Sequence, residues 1–227
     1  MKHYDTYAEH KGYVTPSIGP KHIKRFEQEI WDPGHYHHDM SILEIGCGTG
    51  LVLANLRQKG VQKLIGIDQD TSLEKILPGS VVKCFQAIDV WDFLEKASQN
   101  PPAYDRIILF DVLEHFSSEE GQRLLGALRE NLLPNGAIHL KVPNAGSPWG
   151  LQFQFGDLTH MTAYTPESMR QQAIASGLRC QQIYPQRLGS PIRNVWQLLL
   201  NTLLNKILPT PPEIWEGNFY AILEIPK

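Results

Sequence analysis

The chain has 227 residues, of which 42% are hydrophobic and 20% are charged, a balance typical of a globular domain and not of a disordered chain. This length suits one large domain better than two. The formal net charge of −3 excludes a uniformly basic nucleic-acid coat, so nucleic acid is not an expected partner.

Three cysteines are widely spaced and form no CxxC pair, which argues against a disulfide framework or a zinc ribbon and favours a reducing, cytoplasmic location. Residues 1–10 show no signal-peptide pattern. No run reaches the roughly 18 apolar residues of a membrane-spanning helix, so we expect no transmembrane segment.

Residues 1–40 are rich in His, Tyr and Lys and lack strand periodicity. We predict an N-terminal extension here, with a helix around 21–31. Tyr4, Tyr7 and Tyr13 are candidates for a lid over an acceptor site. Residues 41–227 are predicted to form the remaining domain, with a helical insertion at about 186–216.

Strand and helix patterns alternate after residue 40. A helix is expected to run from the first strand to about Lys59, and a second opens at a Ser117/Glu120 capping box and runs to about Leu133. A third opens at Thr165 and ends at Gly177. Strands are predicted at 41–45, 64–68, 81–86, 106–111, 137–142, 178–184 and 219–225. This alternation predicts a doubly wound α/β sheet with helices on both faces and ligands at the carboxyl ends of the strands.

A glycine-rich turn follows the first strand directly, with the sequence Glu44-Ile45-Gly46-Cys47-Gly48-Thr49-Gly50. Glycine lets a backbone turn sharply and approach a ligand closely. A pyrophosphate-binding turn has the spacing GxGxxG, whereas the third glycine here comes one residue earlier. The ExGxGxG spacing therefore favours S-adenosylmethionine over a dinucleotide.

Two acids follow the next strands. Asp68 ends the second strand, where a carboxylate accepts ribose hydroxyls, and Asp89 follows the third, where it suits an adenine amino group. Because the ribose acid also serves NAD sites, a nicotinamide oxidoreductase stays open as an alternative.

With these features the chain resembles the class I S-adenosylmethionine-dependent methyltransferases, and further motifs strengthen the resemblance. Asp111-Val112-Leu113-Glu114-His115 resembles a DVLEH signature, and Leu133-Pro134-Asn135-Gly136 resembles the LxPGG turn of that family. Val142-Pro143-Asn144, Gly156-Asp157-Leu158-Thr159-His160 and Tyr164-Thr165-Pro166-Glu167-Ser168 resemble a bacterial subfamily that often accompanies sugar and cell-envelope polymer biosynthesis.

The resemblance implies a Rossmann-like, seven-stranded sheet with the last strand antiparallel. It implies S-adenosylmethionine as cofactor and S-adenosylhomocysteine as product. The glycine loop would line the methionine part, Asp68 the ribose, and Asp89 with Val90 the adenine. The residues expected to bind the cofactor are Glu44, Gly46, Cys47, Gly48, Gly50, Asp68, Gln69, Asp89, Val90, Asp111 and Val112.

His115 and His160 are the candidate catalytic residues, because a hydroxyl acceptor needs a base and neutral imidazole suits that task. A second hypothesis starts from Asp111, Glu114 and His115, which fall on one side of a helical turn. With His160 they resemble the ExxEH pattern that binds a divalent metal in some quinone-pathway and small-RNA methyltransferases. The third interpretation is that Glu114 and His115 only hold the loop by hydrogen bonds.

The most apolar helix is predicted at 194–208, and its polar residues recur at helical spacing. We favour a helix packed on the core or against a homodimer partner. Peripheral membrane contact, with a lipid substrate, stays open although Arg193 and Lys206 are its only cations.

The sequence thus predicts a methyltransferase, acting on oxygen of a small-molecule, sugar or lipid-linked acceptor. A metal-assisted RNA or quinol O-methyltransferase and a non-catalytic cofactor-binding module are the alternatives.

Overall fold

The computed structural model describes residues 12–98 and 103–226 and contains a seven-stranded sheet in the order β3-β2-β1-β4-β5-β7-β6. Tyr4 and Tyr7 of the expected lid lie outside the described residues. The strands are β1 Ser41–Ile45, β2 Lys63–Asp68, β3 Phe85–Ala87, β4 Tyr104–Phe110, β5 Leu132–Pro143, β6 Arg179–Pro185 and β7 Asn218–Glu224.

Strands β1 to β5 pair in parallel, and β7 enters antiparallel between β5 and β6. The carboxyl ends of β1 to β5 therefore meet at one edge of the sheet. Strand β6 is antiparallel to β7, so it also ends at this edge, and β7 begins there. The predicted fold class is confirmed, including the antiparallel last strand.

Helices cover both faces of the sheet because its strands are apolar on both sides. Neighbouring residues such as Ile42 and Leu43, or Ile107 and Ile108, belong to different buried clusters. The helices are α1 Pro20–Phe26, continued by a π-helical turn Glu27–Trp31, α2 Leu51–Gln58, α3 Val90–Ser98, α4 Ser118–Arg129, α5 Leu151–Gln154, α6 Pro166–Ala175 and α7 Pro191–Ile207. One face of the sheet packs against α3, α4 and α6, and the other against α1 and α2.

The predicted helix starts have the expected caps. The Ser117 hydroxyl accepts the Glu120 N–H at 3.3 Å and the Glu120 carboxylate accepts the Ser117 N–H at 3.0 Å, so two free donors of the first turn are satisfied. Thr165 caps α6 in the same manner, and Gly177 follows that helix with a φ of +71°.

Three boundaries differ from the prediction by four residues or more. Strand β3 is only Phe85–Ala87, because Val81 is fully buried against the α2 side and 82–84 form a 3₁₀ turn instead of an extended edge. Helix α4 ends at Arg129, four residues early. The Pro134-Asn135-Gly136 segment is a bulge inside β5, between the partners of Tyr104 and Arg106, and Asn135 has a φ of +67° there.

The segment before β1 packs on the sheet through a buried imidazole. His139 of β5 is fully buried, its Nδ1 lying 2.9 Å from the Tyr36 hydroxyl and its Nε2 2.7 Å from the Tyr184 hydroxyl. Tyr184 donates its own proton to the Glu29 carbonyl at 2.8 Å. Its oxygen therefore accepts from Nε2–H, and the Tyr36 hydroxyl donates to Nδ1. The neutral ring links α1's π-helical turn to β5 and β6.

Helix α7 corrects one part of the favoured interpretation of the 194–208 segment, because its apolar side does not pack on the core, whereas contact with a homodimer partner stays a prediction. It packs on the protein through its polar stripe, while its apolar stripe faces outward. Among the described residues, no side chain of α7 belongs to either buried hydrophobic cluster. In the part of the chain that the structure describes, we find no helix with both the length and the apolar character needed to cross a bilayer.

Candidate active site

The glycine loop after β1 has the backbone that its sequence requires. Gly46, Gly48 and Gly50 all have positive φ, at +65°, +50° and +72°. A Cβ on Gly46 would lie 2.5 Å from Cγ2 of Val112, so the loop and the end of β4 are in close contact. A Cβ on Gly48 would meet nothing within 4 Å. Gly48 therefore borders open space, as a loop that cradles a ligand must.

Asp68 fixes the loop from the end of β2. One carboxylate oxygen accepts the Gly48 N–H and the other accepts the Asp70 N–H, each at 3.0 Å. Burial raises the pKa of the Asp68 carboxyl, and the two N–H donors oppose that shift. Gln69, the next residue, is exposed. Asp68 is thus oriented by backbone and keeps further lone pairs for a ligand.

Glu44 and Cys47 lie beneath the loop. Glu44 is 4% exposed, and its Oε2 has no hydrogen-bond partner among the described residues. Burial raises the pKa of Glu44 well above its ordinary range. Cys47 is buried and donates its backbone N–H to Ile67 of β2 at 3.0 Å. The loop is therefore anchored to β2 at two points, Cys47 and Asp68.

Asp89 and Val90 follow β3 at the start of α3. Asp89 accepts the Trp91 N–H at 2.7 Å, which caps the helix, and Val90 is buried. Helix α3 was not predicted from the sequence, although an Asp at its N-cap position could have indicated it.

Asp111 begins the loop after β4 with an unusual backbone. Its φ is +57°, in the left-handed region that glycine favours. Its carboxylate forms an ion pair with Lys141 at 2.6 Å, and its backbone N–H donates to the Lys141 carbonyl at 2.9 Å. These two contacts with β5 hold a conformation that costs about 1–2 kcal/mol for a residue with a side chain.

A cavity of about 290 Å³ opens beside Asp111. It lies at the carboxyl edge of the sheet and contains both predicted catalytic histidines. Its lining residues are Asp111, Glu114, His115, Pro143, Gln152, Phe153, Gly156, Asp157, His160 and Asn218.

Glu114 has the most unusual environment in this cavity. Its side chain is fully buried, and neither carboxylate oxygen has a hydrogen-bond partner among the described residues. Burial raises the pKa of Glu114 well above its ordinary value, and the negative charge of Asp111 adds to that shift. His160 is a base close to it, with its Nε2 4.0 Å from Oε1. A buried, unpaired carboxyl of this kind is stabilised by an added positive charge.

The hydrogen bonds around the two histidines determine their tautomers. His160 Nδ1 lies 2.9 Å from the Gln154 carbonyl, which can only accept, so Nδ1 carries the proton and Nε2 the lone pair. His115 Nδ1 lies 2.9 Å from the Thr159 hydroxyl, and that hydroxyl donates to Asp157 at 2.5 Å. The same logic puts the proton of neutral His115 on Nδ1. The two rings pack edge to face with centroids 4.7 Å apart.

Glu114, His115 and His160 each offer one possible metal-ligand atom, and these three atoms lie within 4.8 Å of one another. Asp111, the fourth member of the metal hypothesis, lies in the same cavity but is paired with Lys141. The residues that orient the histidines, Asp157, Thr159 and Gln154, were not predicted from the sequence. Asp157 and Thr159 belong to the Gly156-Asp157-Leu158-Thr159-His160 motif, which could have indicated their role.

Comparisons with known proteins agree with this architecture. A family model described as a methyltransferase domain matches residues 21–183. Peramine synthetase ppzA of Metarhizium majus is 30% identical over 101 residues, so the match spans 40% of this chain and 4% of that curated protein.

Two solved structures cover nearly the whole chain. A SAM dependent methyltransferase from Archaeoglobus fulgidus has a TM-score of 0.67 at 20% identity, over 97% of this chain and 99% of that chain. A magnesium protoporphyrin IX methyltransferase from Synechocystis, with bound SAH, has a TM-score of 0.60 at 13% identity, over 98% of this chain and 94% of that chain. At these identities the likeness concerns the fold.

Proposed function

The chain belongs to the methyltransferase domain family, and from this premise we propose that it transfers a methyl group from S-adenosylmethionine to an oxygen atom of a small-molecule, sugar or lipid-linked acceptor. The observation that carries the proposal is the cavity after β4, in which two imidazoles of assigned tautomer adjoin a buried carboxyl, next to the glycine loop after β1.

The residues around Gly48 fit the cofactor. The methionine part would lie in the open space beside Gly48, and Asp68 would offer its remaining lone pairs to ribose hydroxyls. Asp89 and Val90 would take the adenine, and Asp111 with Val112 would flank the sulfur. When bound, the cofactor supplies an activated methyl group on a sulfonium. The protein's own contribution is to align the acceptor and exclude water, which lowers a barrier by up to about 7–11 kcal/mol in favourable cases.

His160 is the proposed base. Its Nε2 carries the lone pair, because Nδ1–H donates to the Gln154 carbonyl. As the methyl group moves to the acceptor oxygen, the hydroxyl proton moves to Nε2. The imidazolium so formed lies 4.0 Å from Glu114, and its positive charge stabilises the ionised form of that buried carboxyl. His115, oriented through Thr159 and Asp157, is the second candidate for the base.

A divalent metal bound by Glu114, His115 and His160 is the second candidate mechanism. Two imidazoles and a carboxylate are a common ligand set, and a histidine that donates its other N–H to a backbone carbonyl is the usual support for one. His160 Nε2 and Glu114 Oε1, however, lie 4.0 Å apart, whereas ligand atoms around one ion approach to roughly 3 Å. We therefore rank the base mechanism first.

A titration with Mn²⁺ followed by electron paramagnetic resonance separates the two mechanisms. The base mechanism predicts no stoichiometric Mn²⁺ binding and full activity after chelation. Stoichiometric binding that is lost in Glu114→Gln would instead establish the metal site.

Calorimetric titration with S-adenosylhomocysteine, with NAD run on the same sample, tests the cofactor. Binding of S-adenosylhomocysteine at micromolar concentration and none of NAD is expected. No binding of S-adenosylhomocysteine would remove the basis of the proposal, and binding of NAD would favour an oxidoreductase.

Turnover on a panel of hydroxyl acceptors tests the base. His160→Gln is expected to lower kcat by roughly 10²- to 10⁴-fold while S-adenosylhomocysteine still binds. His38→Gln, at an exposed position outside the cavity, is the matched control. If no acceptor is methylated although the product binds tightly, the chain is a cofactor-binding module without catalysis.

A further inference from the structure

The polar side of helix α7 faces the protein and its apolar side faces outward, which is the reverse of an ordinary surface helix. Its inward stripe contains Asn194, Gln197 and Asn201, the last only 9% exposed. Asn205 accepts the indole N–H of Trp215 at 2.8 Å, so a polar contact also fastens the end of the helix. The exposed apolar side chains are Ile192, Val195, Trp196, Leu198, Leu199, Leu200, Leu203 and Ile207, each at least half exposed.

This arrangement is stable only if another apolar phase covers the outer stripe, since a contiguous exposed patch of this kind marks an interaction surface. Trp196 is 68% exposed in the middle of the stripe, and tryptophan is a side chain enriched where a lipid surface meets water.

The position of α7 connects it to the cavity. The helix lies between the end of β6 and the start of β7, at the same edge of the sheet as the candidate active site. The segment after it is hydrogen-bonded to Asn144, which follows the cavity-lining residue Pro143. The Asn144 amide donates to the carbonyls of Ile214 and Glu216 at 2.9 and 3.0 Å. Ser147 donates to the Trp215 carbonyl at 2.5 Å.

A second group of exposed apolar side chains lies in residues 149–161, a segment that also supplies several residues lining the cavity. Phe153 lines the cavity and is 38% exposed, and its ring borders Gly217 at the end of the α7 connection. The other members lie in the same loop and on α5: Trp149, Leu151, Phe155, Leu158 and Met161. Residues 214–217, a short segment that we call the strut, therefore connect the two apolar surfaces.

The charges around α7 favour a lipid surface over a second copy of the chain. Residues 186–212 contain Arg187, Arg193 and Lys206 and no Asp or Glu, in a chain whose net charge is −3. In a two-fold dimer the same surface meets itself, so these cations would face cations with no carboxylate of the segment to pair them. An anionic bilayer supplies the opposite charge along the whole helix, and its interface accepts an apolar stripe.

We propose that the outward stripe of α7 lies in the headgroup region of an anionic lipid bilayer, and that the cavity takes its methyl acceptor from that surface. This inference rests on the proposed methyltransferase function and narrows its acceptor to a membrane-borne one. The residues that carry it lie outside the cofactor loop, so binding to lipid and binding to cofactor are separable.

Co-sedimentation with vesicles tests the proposal on the full chain. The protein is expected to sediment with vesicles of phosphatidylcholine and phosphatidylglycerol and less with vesicles of phosphatidylcholine alone. The double variant Leu199→Ser/Leu203→Ser is expected to lose roughly a hundredfold in partitioning, since each buried leucine contributes about a tenfold factor. Ile174→Ser, at a 73% exposed position on α6, is the matched control and should sediment as the unmodified chain does.

S-adenosylhomocysteine calorimetry on the same samples distinguishes the two proposals. Unchanged product binding in the leucine double variant shows that the fold and the cofactor site persist. Equal sedimentation of that variant and the unmodified chain would overturn the assignment of α7. So would a chain that ignores both kinds of vesicle and forms a dimer that the double variant dissociates, because the occupant of the stripe would then be a second copy.

Discussion

The buried imidazole of His139 makes the stability of this protein depend on pH in a calculable way. Burial, with a smaller contribution from the positive charge of Arg106, lowers the pKa of His139 from 6.5 to about 3 in the folded protein. The unfolded chain therefore binds one more proton than the folded chain between these two pH values. By linkage, the free energy of unfolding falls as pH falls through this window, and above about pH 6.5 the residue has no such effect.

The magnitude follows from the shift. One proton of difference corresponds to about 1.4 kcal/mol per pH unit, so about 2.7 kcal/mol is lost two units below the unfolded pKa. That is a large part of a typical stability of about 5–15 kcal/mol. Protonation of Nδ1 also turns the Tyr36 hydroxyl from donor to acceptor in this contact, so the buried hydroxyl proton of Tyr36 needs another acceptor.

Urea unfolding at a series of pH values measures the effect. His139→Gln keeps a donor and an acceptor but does not titrate. Below pH 6.5, its free energy of unfolding should therefore fall less steeply with falling pH than that of the unmodified chain, by about 1.4 kcal/mol per pH unit. His38→Gln, which removes an exposed imidazole, controls for surface histidines. Parallel curves for the unmodified chain and His139→Gln would refute the reasoning, because they would mean that His139 titrates alike in both states.

Other predictions concern packing near the site. Gly46→Ala should lower the free energy of unfolding by about 2–3 kcal/mol, since its Cβ would meet Val112 at 2.5 Å and its φ is +65°. Gly48→Ala has open space instead, so it should cost about 1–2 kcal/mol from its positive φ and mainly weaken S-adenosylhomocysteine binding by calorimetry. Asn144→Ala should cost about 2–3 kcal/mol in urea unfolding, because it leaves the buried carbonyl of Ile214 and the partly buried carbonyl of Glu216 unpaired; a loss below 0.5 kcal/mol would contradict the role of 214–217 as a strut.

The parts of the fold that the sequence predicted well share a local cause. The turn after β1, the caps at Ser117 and Thr165 and the left-handed Gly177 each depend on residues a few positions apart. The regular succession of apolar strands then determined the sheet. Likewise His115 and His160 could be nominated from motifs, because each follows an element that ends at the same edge.

Other features depend on contacts that no local pattern records. The periodicity of 194–208 showed two unlike sides but not which side faces the protein, and the inward polar side is set by the distant Trp215. The run at 81–84 is as apolar as a strand, yet Val81 packs beside Gly50 and Leu77 instead of extending the sheet. The tautomer of His160 depends on the Gln154 carbonyl, six residues away at the end of α5, which the motif does not specify.

Asp111 holds a left-handed backbone at the junction of β4 and the cavity, against a cost of about 1–2 kcal/mol, with its carboxylate on Lys141. Glycine at this position would relieve that cost but would leave Lys141, whose side chain is only 15% exposed, without its carboxylate partner. A library screened for heat resistance and one screened for turnover should therefore both retain an acid at position 111. At this residue durability and catalysis make the same demand, so selection in either order should reach the same side chain.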